Sequence, residues 1–255
     1  MKTIGFIGGG RITRIILQAF MNAGIGFDKI AVYDTNPDVL TALKNQFSEI
    51  QVYDSMPVKL DYDAVFIALH PPVIMETLGL MRGSTTAKTF FISLAPKINI
   101  EKLSGIINPD KIVRMIPNAT SYMNSGFNPV CFSSEFNKDE KQIVFEFLSV
   151  FGKTFEVEES KLESYAILSA MLPTYFWFQW QQLEEIGLKM GLSEQESKEA
   201  IQETLEAAIS LFYHSGLSTS EVLDLIPVKP MAAHEETIRN CYSNALLPLY
   251  EKIKP

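Results

Sequence analysis

Three consecutive glycines, Gly8-Gly9-Gly10, separate a short apolar run, Ile4 to Ile7, from a helix-forming run, Arg11 to Asn22. No other feature of this chain narrows its fold as much. A short run of this kind suits a parallel strand buried on both faces. Gly8 permits a tight turn out of that strand. Gly10 lets a pyrophosphate approach the backbone at a helix N-terminus, where free N–H groups and the positive end of the helix dipole favour an anion. Strand, glycine turn and helix in this order are how a dinucleotide-binding domain begins. The third glycine of the fingerprint is missing and Thr13 stands in its place. A glycine triplet also occurs in ordinary strand-to-helix turns, so the motif needs support.

The next unit supplies it. Ile30-Ala31-Val32-Tyr33-Asp34 reads as a second strand ending in an acid, at about the distance from the glycines expected of the residue that meets the adenosine ribose. Asn36 then caps a helix with Pro37 at its first position. A carboxylate at Asp34 accepts hydrogen bonds from the 2′- and 3′-hydroxyls of NAD and repels the 2′-phosphate of NADP, and no arginine follows in Thr35-Asn36 to neutralise that phosphate. The bland alternative is an acid that ends a strand and turns outward. The cofactor expected is NADP or NAD.

Up to Glu158 short apolar strands alternate with helices. Strands are expected at Asp63–Leu69, Thr89–Ser93, Lys111–Met115, Pro129–Ser133 and Lys153–Val157, and helices at Pro72–Met81, Ile100–Leu103 and Lys138–Val150. This rhythm predicts a parallel sheet covered on both faces, with ligands at the carboxyl ends of the strands. From Ser160 onward the strands vanish. A helical run from Leu162 to Met190, bent by Pro173, is followed by the stop and cap Gly191-Leu192-Ser193-Glu194 and a helix from Glu194 to Tyr213. Ser218 caps a short helix ending near Ile226, and a last helix runs from about Ala233 to Leu247, with Pro248 disturbing its end. The fold class expected is α/β, with an N-terminal dinucleotide-binding domain over 1–158 and an all-helical domain over 159–255. The helical half carries more apolar and aromatic surface (Tyr175, Phe176, Trp177, Phe178, Trp180) than one small core needs. A homodimer formed through that half would absorb it; a monomer whose helices pack on one another is the alternative.

The net charge of −8, with no basic stripe or tail, argues against nucleic acid and anionic membrane partners. Cys131 and Cys241 lie far apart and form no metal or redox motif, so both are read as buried small hydrophobes in a reducing compartment. The N-terminus shows no signal-peptide pattern, and no apolar stretch approaches the length of a membrane span. A cytoplasmic protein without a metal site is expected.

Over nearly its whole length the chain resembles the pyrroline-5-carboxylate reductase family. The resemblance rests on Gly5-Phe6-Ile7-Gly8-Gly9-Gly10, Ala68-Leu69-His70-Pro71-Pro72, Ile92-Ser93-Leu94-Ala95, Val113-Arg114-Met115-Ile116-Pro117-Asn118 with Gly126 beyond it, and Ser169-Ala170-Met171-Leu172-Pro173-Thr174-Tyr175. It implies a Rossmann domain, a helical dimerisation domain, sometimes a larger homo-oligomer, and reduction of the cyclic imine 1-pyrroline-5-carboxylate to proline with NADPH or NADH. By the same resemblance Gly8, Gly10, Arg11 and Ile12 would line the pyrophosphate and Asp34 and Thr35 would face the ribose. Ala68, Leu69, His70 and Pro71 would pass beneath the nicotinamide side, and Asn118 would help position the nicotinamide. Ser169 to Tyr175 would lie at the substrate end.

The departures carry information too. Relatives usually have Lys-Pro where this chain has His70-Pro71, and Ala-Gly where it has Pro96-Lys97. Three small residues of their substrate helix have become Ala170, Met171 and Leu172. Their Ser-Pro-Gly-Gly-Thr-Thr segment, which holds the substrate carboxylate, corresponds to the region of Val228-Lys229-Pro230-Met231-Ala232-Ala233. Imine reduction needs positioning more than acid–base machinery, since the hydride goes to the imine carbon and the nitrogen is protonated or already iminium. The candidates for direct roles are His70 and Tyr175 as hydrogen-bond or proton donors and Lys97 and Lys229 as carboxylate holders. Each has a structural alternative: a turn-supporting histidine, a core tyrosine, solvated surface lysines. The alternative functions are a related reductase of another imino or keto acid and a non-catalytic dinucleotide-binding relative.

Overall fold

In a computed structural model that describes residues 1–56, 60–80, 88–107 and 111–255, the chain forms two compact units. One is Met1–Met171 together with Tyr250–Pro255; the other is Leu172–Leu249. The first is built on strands β1 (Thr3–Ile7), β2 (Lys29–Tyr33), β3 (Gln51–Tyr53), β4 (Ala64–Ile67), β5 (Phe90–Ser93), β6 (Ile112–Met115), β7 (Gly126–Phe132) and β8 (Gly152–Glu156). They form one sheet in the order β3-β2-β1-β4-β5-β6-β7-β8. The reversal of strand order beside β1 is the topology of a Rossmann-type domain and puts the glycine turn at the switch point.

The sheet is parallel from β3 through β6, as expected, but β7 runs antiparallel to β6, which corrects the all-parallel reading. The link between them holds only a 3-10 turn, Ala119–Met123, whereas a parallel return needs a crossover of roughly a dozen residues or more, usually a helix. β3 is an addition to the sequence reading. It is a three-residue edge strand, Gln51-Val52-Tyr53, whose outer two residues are exposed, so no buried apolar run marks it.

Both faces of the sheet are covered. On one, Ile16, Leu17 and Phe20 of helix α1 (Arg11–Asn22), Leu40 and Leu43 of α2 (Pro37–Gln46), and Val144 and Leu148 of α5 (Lys138–Leu148) pack on Ile4, Phe6, Val32 and Phe66. The other face takes Ile74 and Leu78 of α3 (Pro71–Leu80) and Leu103 of α4 (Ile100–Ser104) against Ile7, Val65, Ile67 and Phe91. The Met81 end expected for α3 lies outside the described residues. Asn36 caps α2 through Asp38 N–H at 3.0 Å, with Pro37 in the first turn.

After β8 come α6 (Leu162–Tyr165) and a π turn, Ala166–Ala170, closed by Met171 N–H on Ala166 O at 3.0 Å. The single helix bent at Pro173 is therefore corrected. The irregularity precedes the proline, which sits in the first turn of α7 (Leu172–Lys189), where its missing N–H leaves no bond unmade.

The second unit continues with α8 (Glu194–His214), α9 (Thr219–Asp224) and most of α10 (Glu235–Ile253). Ser193 and Ser218 form capping boxes with Glu196 and Glu221. Gly187 on α7 packs against Ser197 on α8 so closely that a Cβ at 187 would lie 2.4 Å from Ser197 Oγ. These two are the only buried residues between Leu172 and Leu249. Pro248 does not end the last helix, which is a second correction. α10 runs through it to Ile253, whose side chain packs with Ile116, Cys131, Leu162 and Ala166 and offsets the bond lost at the proline. Cys131 is buried, but Cys241 is exposed, contrary to the reading of both as interior residues. Among the described residues no helix is long and apolar enough to cross a membrane, and no group of His, Cys, Asp and Glu could hold a metal ion.

Candidate dinucleotide and substrate site

Gly8 adopts φ +101°, and a Cβ there would lie 2.5 Å from the carbonyl oxygen of Ala68. Conformation and space both demand glycine. Its N–H donates to Tyr33 O at 2.7 Å, which fastens the turn to the end of β2. Thr13, in place of the third glycine, is buried and donates its Oγ1 hydrogen to Gly8 O at 2.6 Å. Where the general fingerprint packs helix against strand through a third glycine, this helix is tied to the turn by a hydroxyl. Gly10 starts α1 with nothing within 4 Å of where a Cβ would stand and with no side-chain cap. The N–H groups of Arg11 and Ile12 have no partner among the described residues. The first turn of α1 thus presents uncapped donors to an anion, as a pyrophosphate requires.

Asp34 lies beside this turn. Its Oδ2 accepts the Gly9 N–H at 2.7 Å and its Oδ1 accepts the Asn36 N–H at 2.8 Å. Each oxygen keeps a further lone pair for a hydroxyl. Thr35 next to it is exposed. A cleft of about 250 Å³ opens from the turn, lined by Gly9, Gly10, Arg11, Arg14 and side chains of α2. Arg11 and Arg14 are both exposed and make no ion pair among the described residues. Arg14 was not singled out from the sequence, although its spacing from Arg11 puts both on one face of the first helical turns.

At the carboxyl ends of the next strands, Ala68 N–H donates to Ile7 O at 2.8 Å, and Ala68, Leu69, His70 and Pro71 carry the chain from β4 into α3. His70 is exposed and its carbonyl accepts the Val73 N–H at 3.1 Å. The loop after the adjacent strand β5 holds Lys97, whose φ of +75° makes it one of two non-glycine residues in the left-handed region among the described residues. Its N–H donates to Glu163 Oε1 at 3.2 Å. The same oxygen accepts Arg114 Nη2 at 2.5 Å, and Arg114 Nη1 donates to Glu159 Oε1 at 2.9 Å. Arg114 and Glu163 are almost wholly buried. The sequence offered Arg114 only as part of a motif; the carboxylates that hold it are remote in the chain and carry no local signal. Cys131, opposite Arg114 on β7, has its thiol pushed up to about 12, by burial first and then by Glu159.

Asn118 is buried, and its side-chain atoms are engaged within the first unit. Nδ2 donates to Ser169 O of the π turn at 2.9 Å, and Oδ1 accepts from Thr120 N–H and Oγ1 at 2.9 and 2.7 Å. Tyr175 and Lys229 belong to the second unit. Tyr175 lies on α7 with its ring edge-on to Tyr242, 6.0 Å between centroids, and burial followed by the Tyr242 neighbour raises its phenol above the ordinary value. Lys229 is exposed in the irregular segment between α9 and α10. Of the candidates for direct roles, His70 and Lys97 share the carboxyl edge of one sheet on neighbouring loops, and Tyr175 and Lys229 lie in the other unit.

The family described as NADP oxidoreductase coenzyme F420-dependent matches residues 3–97. At the family level the whole chain is similar to pyrroline-5-carboxylate reductases. It is 24% identical to that of Corynebacterium melassecola over 226 residues, covering 87% of this chain and 84% of the relative. It is 21% identical to that of Escherichia coli K12, covering 88% and 84%. In fold it resembles the crystal structure of Plasmodium falciparum pyrroline carboxylate reductase with NADP bound, with a TM-score of 0.83 at 20% identity over 99% of this chain and 97% of the other. The fold is that of an NAD(P)-binding oxidoreductase related to the pyrroline-5-carboxylate reductases.

Proposed function

We propose that the chain is an NAD(P)H-dependent imine reductase that converts 1-pyrroline-5-carboxylate to proline. The observation that carries the cofactor half of this reading is the glycine turn closed under Ala68 O with Asp34 bound to it; the substrate half rests on the family-level similarity. Gly8, Gly10 and the free N–H groups of Arg11 and Ile12 hold the pyrophosphate, and the Arg11 guanidinium adds charge. Asp34 and Thr35 hold the adenosine ribose. Because a fixed carboxylate repels a 2′-phosphate, Asp34 favours NADH. Ala68, Leu69, His70 and Pro71 support the nicotinamide side, and Asn118 shapes that end by tying its loop to the π turn.

When bound, the reduced nicotinamide supplies a hydride to the imine carbon. The nitrogen takes its proton from solvent or enters as the iminium. His70 donates a hydrogen bond at that nitrogen. The Tyr175 phenol, raised by burial, stays protonated and is a donor throughout the physiological range. Lys97 and Lys229 are the cations available for the substrate carboxylate.

A second copy of the chain completes the second unit. Seventy-eight residues that bury only Gly187 and Ser197 do not repay the entropy of ordering four helices. Trp177, Phe178, Ile209, Phe212, Ile226 and Leu247 are 40–68% exposed in one chain. A homodimer built on those faces, or a higher homo-oligomer of it, buries them. The free cysteines suit the cytoplasm.

Purified protein is assayed for oxidation of NADH and of NADPH with 1-pyrroline-5-carboxylate. Substrate-dependent turnover of about 1 s⁻¹ or more is expected. Dinucleotide binding without turnover would move the assignment to another imino or keto acid, the reading that Met171, Leu172 and the hydroxyl-poor Val228–Ala233 segment favour. Absence of dinucleotide binding would overturn both.

A further inference from the structure

We infer that Lys97 is the group that receives the substrate carboxylate and that Glu163 is its positioning residue. The inference deepens the reductase reading and rests on it.

Two candidate cations remain once the hydroxyl-rich carboxylate segment of the relatives is gone, and the backbone distinguishes them. Lys229 lies in an irregular, exposed stretch, where its carbonyl accepts the Ala232 N–H at 3.1 Å and, among the described residues, no side chain holds its main chain. Lys97 is exposed too, but its backbone is held. A lysine at φ +75° is in a conformation that L-residues with a Cβ avoid. It is kept there by a carboxylate on its own N–H, Glu163 Oε1 at 3.2 Å. Glu163 is fixed in turn by Arg114 Nη2 at 2.5 Å, with both side chains almost wholly buried. Relatives that place glycine at this point have no such conformational cost. This chain carries a long cation there, leaves its ammonium without an ion pair among the described residues, and uses a buried charge pair to hold the main chain. The position is the carboxyl end of β5, on the sheet edge where ligands of such folds lie. Strain of this kind persists where its surroundings over-determine it, and it concentrates at sites that must be pre-organised. A fixed backbone with a free cationic head is the arrangement a small carboxylate needs.

Two sets of measurements test this. In steady-state assays, Lys97→Met raises KM for the carboxylate substrate by about 10- to 100-fold, the loss expected of one charge-assisted bond. It leaves the dinucleotide dissociation constant within twofold. Glu163→Gln raises KM about fivefold with kcat within twofold, because the neutral amide oxygen holds Lys97 N–H more weakly. Glu159→Gln, which also removes a charge from Arg114 but does not touch Lys97, moves KM less than twofold. Equal KM effects in E163Q and E159Q, or an unchanged KM in K97M, overturn the assignment. The second set needs no substrate. Lys97→Gly removes the left-handed strain and raises the thermal midpoint by about 2–4 °C, the shift of a one-residue strain in a domain of this size. A midpoint unchanged or lowered overturns the strained hold. An inactive wild type with a raised K97G midpoint would sink the imine-reductase reading while supporting the hold. An active enzyme indifferent to K97M would sink the anion site alone.

Discussion

Asp34 and Gly9 act as one element: the carboxylate expected to meet the ribose also accepts the amide hydrogen of the glycine turn at 2.7 Å. Ribose recognition and the shape of the pyrophosphate site are coupled through a single side chain. Its removal therefore has two separable effects, on which dinucleotide is preferred and on how well either binds.

Asp34→Ser removes the charge that opposes a 2′-phosphate and shortens the link to Gly9. The ratio of kcat/KM for NADH to that for NADPH is expected to fall at least tenfold, with weaker binding of NADH. Asp34→Asn, which keeps an acceptor for Gly9, should lose selectivity with less loss of NADH affinity. Kinetics with both cofactors and calorimetry check the pair; a ratio unchanged in both variants would remove Asp34 from cofactor selection.

Gly8→Ala places a methyl 2.5 Å from Ala68 O at a residue with φ +101°. The turn must open, so NADH affinity should drop by more than tenfold. Chemical denaturation should show a stability loss of about 1–3 kcal/mol, the cost of a strained left-handed residue. A variant that binds NADH normally would show that the pyrophosphate lies elsewhere.

This much was legible in the chain because backbone geometry forces it. Gly8 is glycine for reasons of conformation and contact, and Asn36 and Ser193 announce their helices by capping chemistry. The rest depends on contacts no local pattern encodes. β3 is too short and too exposed to show a buried face. The direction of β7 turns on whether the link after Met115 makes a 3-10 turn or a crossover helix. Lys97 looked like a substitution for glycine, and only the Glu163 carboxylate, distant in sequence, explains how the lysine is tolerated. Pro248 looked like a helix end because the burial of Ile253 is a tertiary event.

Alkaline solution should destabilise the fold through Cys131. Its thiol is raised from 9.0 to about 12 by burial and then by Glu159. The folded state therefore holds the proton more tightly than the unfolded state. The associated stability is complete below the unfolded value and is lost as pH rises from about 9 towards 12, with a slope of up to about 1.4 kcal/mol per pH unit. Urea titrations between pH 8 and 11 should show this fall in the wild type and a flatter profile in Cys131→Ala. Parallel profiles would remove Cys131 as the cause.

Association is tested at Phe178, which is 65% exposed on α7 in a single chain. Phe178→Asp places a charge on the face assigned to a second copy. Sedimentation should give a dimer or larger species for the wild type and a shift towards monomer, with lowered thermal stability, for the variant. A wild type that sediments as a monomer at all concentrations would discard the assembly.

The last six residues, Tyr250–Pro255, belong to the first unit although the whole of Leu172–Leu249 intervenes. Ile253 packs beside Ile116, Cys131, Leu162 and Ala166. The helical unit is thus an excursion whose exit and return are both anchored in the sheet-bearing unit. A chain emerging from the ribosome can assemble β1 to β8 early, but the apolar cluster at Cys131 stays unsealed until the final turn of α10 has been synthesised. Maturation of the sheet-bearing unit therefore waits on Ile253. A nascent chain stalled before Ile253 should expose that cluster, and one extended far enough past Ile253 to clear the ribosome should protect it.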